Sequence, residues 1–165
     1  MKKMQVLITT PQKIHKKEFQ YLDHGSLNIK FSESQKNVIF KHSWDDAKNY
    51  TRDFKEIKKK YSYFLNKFTT ILNDHHNINR DIKYWKIILG PWMYGFIVSY
   101  YEKSNFVKKL IKYKKKLLVP ILDSKQTENI PKSFYQWFSR KTTSTMWNNY
   151  LFTEILSQKK LGKNF

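Results

Sequence analysis

Cysteine is missing from this chain, and arginine, glycine and proline are scarce. Without cysteine there is no disulfide, no thiolate zinc site and no thiol nucleophile, which fits a reducing cytoplasm. Of the 32 basic residues only Arg52, Arg80 and Arg140 are arginine. A reader of phosphates or bases leans on arginine, whose planar fork binds bidentately. None of the four glycines builds a G-x-G-x-x-G turn, a P-loop or a G-x-S-x-G elbow. Long hydrophobic runs are missing too: the longest apolar stretch, 87–101, is shorter than the roughly 18–20 residues that span a bilayer. The apolar run after Met1-Lys2-Lys3-Met4 is too short for a signal peptide.

What is present is a globular composition, 40% hydrophobic and 17% aromatic, in 165 residues, the length of one domain. The net charge of +19 suggests an anionic partner such as nucleic acid, an anionic membrane or a phosphorylated ligand. The same excess of lysine, with much Asn, Ile, Tyr and Phe, also follows from codon bias in an AT-rich genome. Both readings stay open.

Hydropathy patterning predicts short strands at 5–10, 37–41 and 117–122, with a polar loop at 11–36 and another at 123–133. Ser43 stands three residues before Asp46 in a capping-box-like start. Behind it Tyr50, Phe54, Ile57, Tyr61, Phe64, Phe68 and Ile71 recur at spacings of 3 and 4, one apolar stripe of a helix. Lys55, Lys58, Lys59 and Lys60 fall off that stripe. The helix is expected to pack on a sheet and to end at the polar cluster 73–77. Another helix starts near Asp81 and runs to Gly90, where Pro91 has to kink it or open a new one. A last helix lies within 137–156, with Trp147, Leu151, Phe152 and Ile155 on one side. This order leads to a fold expectation of α/β class: a small two- or three-layer Rossmann-like domain with few, mostly parallel strands and long amphipathic helices. It fills 1–156 as a single domain, with 157–165 as a frayed tail. Three strands are few for that architecture, so an incomplete domain is expected.

The chemistry concentrates in three motifs. His42-Ser-Trp-Asp-Asp46 offers an imidazole and two carboxylates at a strand-to-helix junction, where ligands bind in open α/β sheets. A carboxylate bonded to His42 would fix its tautomer and raise its basicity toward a hydroxyl. The plainer alternative is that Asp45 and Asp46 only cap the helix. Leu89-Gly-Pro-Trp92 either lets two backbones approach closely or lines a groove with aromatic faces, as sugar and single-strand binders do. Arg52-Asp53 and Arg80-Asp81 read as local ion pairs, worth little if exposed. Adjacent His75 and His76 lack metal-ligand spacing, so no metal is expected.

Together, His42-Ser-Trp-Asp-Asp46 with Tyr50, Arg52 and Asp53, then Leu72-Asn73 and His75, then Tyr84-Trp-Lys-Ile-Ile-Leu-Gly-Pro-Trp92, resemble the N-terminal region of a family of transferases. That family is associated with bacterial O-antigen and other surface-carbohydrate biosynthesis loci. The opening Leu7-Ile-Thr-Thr10 and the later Trp147-Asn148, Leu151, Glu154 and Ile155 match it as well. Family members carry a Leu-Gly-Glu-Trp-Cys-like segment between the first strand and the His motif; residues 19–36 here hold neither that Trp nor that Cys.

The resemblance implies a glycosyltransferase of surface polysaccharide (O-antigen) biosynthesis, present here as its acceptor-side N-terminal domain or a truncated form, inactive by itself. His42 would be the base and Asp45 its orienter. Trp44, Asp46, Arg52, Arg80, Tyr84, Trp85 and Trp92 would bind the acceptor or support the groove. No cofactor is expected in this chain, because the nucleotide-sugar donor would sit on a further C-terminal domain. The partners implied are a glycan or lipid-linked acceptor and an anionic membrane, with a cytoplasmic location peripheral to the inner membrane. The alternative class is a basic module that binds nucleic acid or another polyanion without catalysis.

Overall fold

A computed structural model describes residues 4–7, 19–23, 38–39, 42–112, 117–118, 131–141 and 145–161. The helices are α1 (Ala47–His76), α2 (Ile82–Lys112), a short α3 (Phe134–Gln136) that continues into a π-turn at Trp137–Lys141, and α4 (Thr145–Leu161). A single 3-10 turn, Ser43–Asp45, precedes α1. The backbone strands are β1 (Met4–Leu7), β2 (Phe19–Asp23), β3 (Val38–Ile39) and β4 (Leu117–Leu118), paired in parallel in the order β3-β2-β1-β4. The register sets Val6 against Tyr21 and Leu118, and Leu22 against Val38. The chain divides into two compact units, one of Met1–His42 with Lys103–Phe165 and one of Ser43–Glu102.

The second unit is a helical hairpin. Asp46 caps α1: its carboxylate accepts the amide of Asn49 at 2.9 Å, satisfying one of the free N–H groups of the first turn. At the far end Asn77 adopts the left-handed conformation (φ 52°) and closes the helix, and Ile78 donates its amide back to the Asn73 carbonyl at 3.0 Å. That is the C-cap expected from the polar cluster at 73–77. The chain then re-enters helix at α2, where the Asp81 carboxylate accepts the Tyr84 amide at 2.9 Å. Between the helices a core forms from Ile57, Leu65, Trp85, Met93 and Ile97, with Tyr61, Leu72, Leu89, Trp92 and Tyr94 packed on it.

This core overturns the expected architecture. The apolar face of α1 packs on α2 within the hairpin, and the core formed there comes from helical residues. The α/β, Rossmann-like, sheet-centred domain is therefore corrected to a predominantly helical architecture whose strands are two to five residues long. The stripe read from the sequence is corrected with it. Its first half is buried at Ile57, but Phe64, Phe68 and Ile71 are exposed, and Leu65 takes the buried place. The reason is geometric: a helix covers a narrower band than a sheet does, so the buried line crosses the stripe instead of following it.

One further expectation changes and another narrows. Residues 19–23, read as loop, carry β2. Of the two outcomes expected at Pro91, a new helix is not the one realised; the residue lies within one continuous element, at an exposed position. Its missing N–H leaves the Ile87 carbonyl without its usual helical donor. Beside it Gly90 is buried, and a Cβ at this position would lie 2.7 Å from the Tyr61 hydroxyl. The Gly-Pro pair thus serves close helix approach on one face and tolerates proline on the other.

The first unit buries Val107 of α2, Trp137, and Trp147, Leu151, Phe152 and Ile155 of α4. The α4 set is the face its spacing predicts, and α4 runs on to Leu161. Phe106 meets Phe152 edge-on at 5.9 Å, and Trp137 meets Trp147 likewise at 6.5 Å. Buried Lys103 places its ammonium 5.9 Å from the Phe152 ring centroid. Most of the loop read at 123–133 and the end of the tail lie outside the described residues.

The approach at Gly90 makes positions 61 and 90 energetically coupled. In a double-mutant cycle followed by chemical denaturation, Gly90→Ala is more favourable in a Tyr61→Phe background than in wild type by about 1 kcal/mol or more. Additive effects would show that the approach is not constraining. Burial also pushes the Tyr61 phenol above its ordinary value. Its stabilising contribution is then complete below the unfolded value of about 10 and is lost as pH rises through the folded value. The stability of wild type minus that of Tyr61→Phe falls above that pH, measured by denaturant titration at alkaline pH; a flat difference would contradict the assignment.

Candidate functional site

The hairpin unit contains two polar constellations, and both hold residues singled out in the sequence. The first centres on Asp53, which is 1% exposed. Its Oδ2 accepts the Trp44 indole Nε1–H at 3.2 Å. Its Oδ1 accepts Arg52 Nε at 3.0 Å, Arg52 Nη2 at 2.9 Å and the Tyr101 hydroxyl at 3.4 Å. One carboxylate therefore joins the 3-10 turn, α1 and α2. A buried charge is tolerated only when it is paired and hydrogen-bonded, and here both conditions hold. The Arg52–Asp53 ion pair expected from the sequence is formed, and it is half-buried: the guanidinium is 64% exposed and its partner 1%.

The second closes the connection between the helices. Asn73 donates its Nδ2 to the Arg80 carbonyl at 2.8 Å and accepts the Arg80 amide on Oδ1 at 3.2 Å. The same Oδ1 accepts the Trp85 indole at 2.8 Å. Trp85 is buried, so it supports the core, and the exposed His76 ring stacks on it at 6.1 Å. Arg80 lays its guanidinium 5.3 Å from the centroid of the exposed Tyr84 ring. The expected Arg80–Asp81 ion pair is not formed among the described residues: Arg80 faces Tyr84, and Asp81 serves the start of α2.

The other named residues stand as follows. His42 is partly buried and directly precedes the 3-10 turn; Asp45 is exposed on that turn. Asp46 is the α1 cap. Trp44 is half-buried, with Tyr50 edge-on at 6.4 Å, and Tyr50 stacks on Phe54 at 6.0 Å. Trp92 heads a stacked ladder along α2, 5.7 Å from Phe96, which lies 6.3 Å from Tyr100. The structure therefore brings Trp44 and Arg52 together through Asp53, and Arg80, Tyr84 and Trp85 together around the Asn73 turn. Asp45, Asp46 and Trp92 belong to neither cluster. No group of three potential metal ligands occurs among the described residues, and none of their helices is long and apolar enough to cross a membrane.

Sequence reasoning missed Asp53, Asn73 and Tyr101 as organising groups. Asp53 left a trace: it stands four residues before Ile57, on the buried side of α1, where an unpaired carboxylate would be intolerable. Tyr101, 48 positions away, left none.

These features define a helical domain with aromatic rows and a half-buried ionic centre, a frame that can position groups for transfer chemistry. A family model for the LIC12162 family transferase matches residues 20–165, and the chain belongs to that family. No curated protein and no solved structure matches it.

Removing the central carboxylate strands the Trp44 indole and the Tyr101 hydroxyl. Asp53→Ala is expected to lower the stability of the chain by about 3 kcal/mol, read as a fall in Tm of roughly 6–12 °C. A loss under about 1 kcal/mol would mean that the centre is dispensable.

Proposed function

We propose that this transferase-family chain supplies the acceptor side of a glycosyltransferase in bacterial surface-polysaccharide assembly. The observation that carries the reading is family membership along 20–165, together with the motif run that links His42 to Trp92. His42 takes the proton of the acceptor hydroxyl as that oxygen attacks the anomeric carbon of a nucleotide-activated sugar, and the nucleotide leaves with the bonding electrons. Asp45 orients the imidazole toward that proton. Trp44 and Trp92 offer aromatic faces to acceptor sugars, while Trp85 holds the core behind them. Arg52, Arg80 and Tyr84 bind acceptor groups, and Asp46 holds the start of α1. The donor nucleotide is bound elsewhere in the enzyme, and no resident cofactor is required of these residues. The acceptor is a glycan carried on a lipid, handled on the cytoplasmic side of the inner membrane.

Support comes from the anchoring of the 3-10 turn. The segment that carries Trp44 and Asp45 is tied through the Trp44 indole to a buried carboxylate, and catalytic groups need such fixed supports. His42→Ala is expected to slow transfer of labelled sugar from nucleotide donors to a lipid-linked acceptor by roughly 10²–10⁴-fold. Asp45→Ala slows it less, with helix content unchanged by circular dichroism. Ordinary rates in both variants would overturn the assignment.

A further inference from the structure

α2 is apolar on two faces, and only one of them is used by the core. Trp85, Leu89 and Met93 face α1. Tyr84, Ile87, Ile88 and Pro91, at spacings i, i+3, i+4 and i+7, form a second strip on the outside of the same helix. Ile87 is 80% exposed, Ile88 51% and Tyr84 40%, and Pro91 is exposed as well. A single exposed isoleucine is ordinary, but a row of this kind marks an interaction surface.

The surroundings of the strip indicate its occupant. Lys83 is exposed beside it, and Arg80 lies over the Tyr84 ring. The neighbouring carboxylate, Asp81, is engaged with the Tyr84 amide. Protein interfaces deplete lysine and bury about 800 Å² per partner, far more than four side chains on a convex helix provide. An anionic lipid surface has the opposite requirements. Isoleucines enter the boundary of the acyl chains, a tyrosine sits at headgroup level, and lysines reach phosphates along their own stems. The balance of 32 basic to 13 acidic residues draws the whole chain to such a surface.

We propose that the strip Tyr84–Ile87–Ile88–Pro91, with Arg80 and Lys83 beside it, docks the protein peripherally on an anionic lipid bilayer. The docking agrees with a lipid-linked acceptor but does not depend on one, and its test reads no transfer.

The purified chain is mixed with sedimentable vesicles of phosphatidylglycerol and phosphatidylcholine, or of phosphatidylcholine alone. The expected result is binding to the anionic vesicles at least about tenfold tighter than to the neutral ones, weakened by salt. The Ile87→Ser, Ile88→Ser double variant, which changes no charge, loses about tenfold or more of that binding, and Arg80→Glu, Lys83→Glu does the same. Both pairs are exposed, so helix content by circular dichroism stays at the wild-type value. Three results would overturn the proposal. One is no binding to anionic vesicles; another is binding that both isoleucine substitutions leave intact, as a purely ionic attachment or a nucleic-acid surface would. The third is a concentration-dependent dimer that the isoleucine variant abolishes, which would give the strip to a second copy of the chain.

Discussion

The arrangement of the hairpin depends on the burial of one carboxylate. Asp53 sits on the core side of α1, where a charge is tolerated only if donors reach it from several directions. Among them are the indole of the preceding turn, the guanidinium of its own neighbour and a hydroxyl from α2. Each donor fixes a different element. The turn cannot swing away without stranding an indole, and α2 cannot slide along α1 without removing Tyr101. Apolar packing alone would hold the helices together with less definition, because hydrophobic contact is not directional. The carboxylate adds direction where the chemistry-bearing turn begins.

The opposite end of the hairpin is held by a different device. Asn73 satisfies both backbone groups of Arg80 and an indole with a single amide. Between these two polar anchors lie the apolar contacts of Ile57, Leu65, Met93 and Ile97, with Gly90 permitting close approach to Tyr61. Every buried group in this span is thereby either apolar or engaged at a defined place. The outer face of α1 carries lysines together with exposed Tyr63, Phe64 and Ile71, and that of α2 carries an uncovered apolar row.

Local features of the sequence were the legible ones. The cap of α1 at Asp46, its end in an Asn/His cluster and the buried face of α4 all follow from residues within a few positions of one another, whereas the Ser43 of the capping-box signature lies one turn earlier, in the 3-10 turn. The architecture was not legible, because the α1 pattern records that a face is apolar without recording what covers it. An apolar stripe against a sheet and one against a helix read alike, and the exposed Phe64, Phe68 and Ile71 show the difference only after the partner is known. Pro91 allowed two outcomes from sequence alone, and the structure rules out the new helix by keeping it inside α2 at an exposed position. Within the candidate site, Trp44, Arg52, Arg80, Tyr84 and Trp85 were marked by residue type. The groups that join them, Asp53 and Asn73, were not, because their roles come from long-range geometry.

The division of the chain bears on the order in which it folds. The hairpin unit, Ser43–Glu102, is contiguous, and one of its polar links, from Tyr101 to Asp53, spans 48 positions. The other unit is assembled from Met1–His42 and Lys103–Phe165, segments separated by the whole hairpin. On a ribosome the N-terminal segment emerges first, yet its unit cannot be completed until the last helix has been made. The hairpin can close while synthesis continues, since local contacts form early and demand little loop closure. Once closed, it joins the two segments through a compact insert in place of a long flexible loop, and the entropy lost in bringing them together falls accordingly.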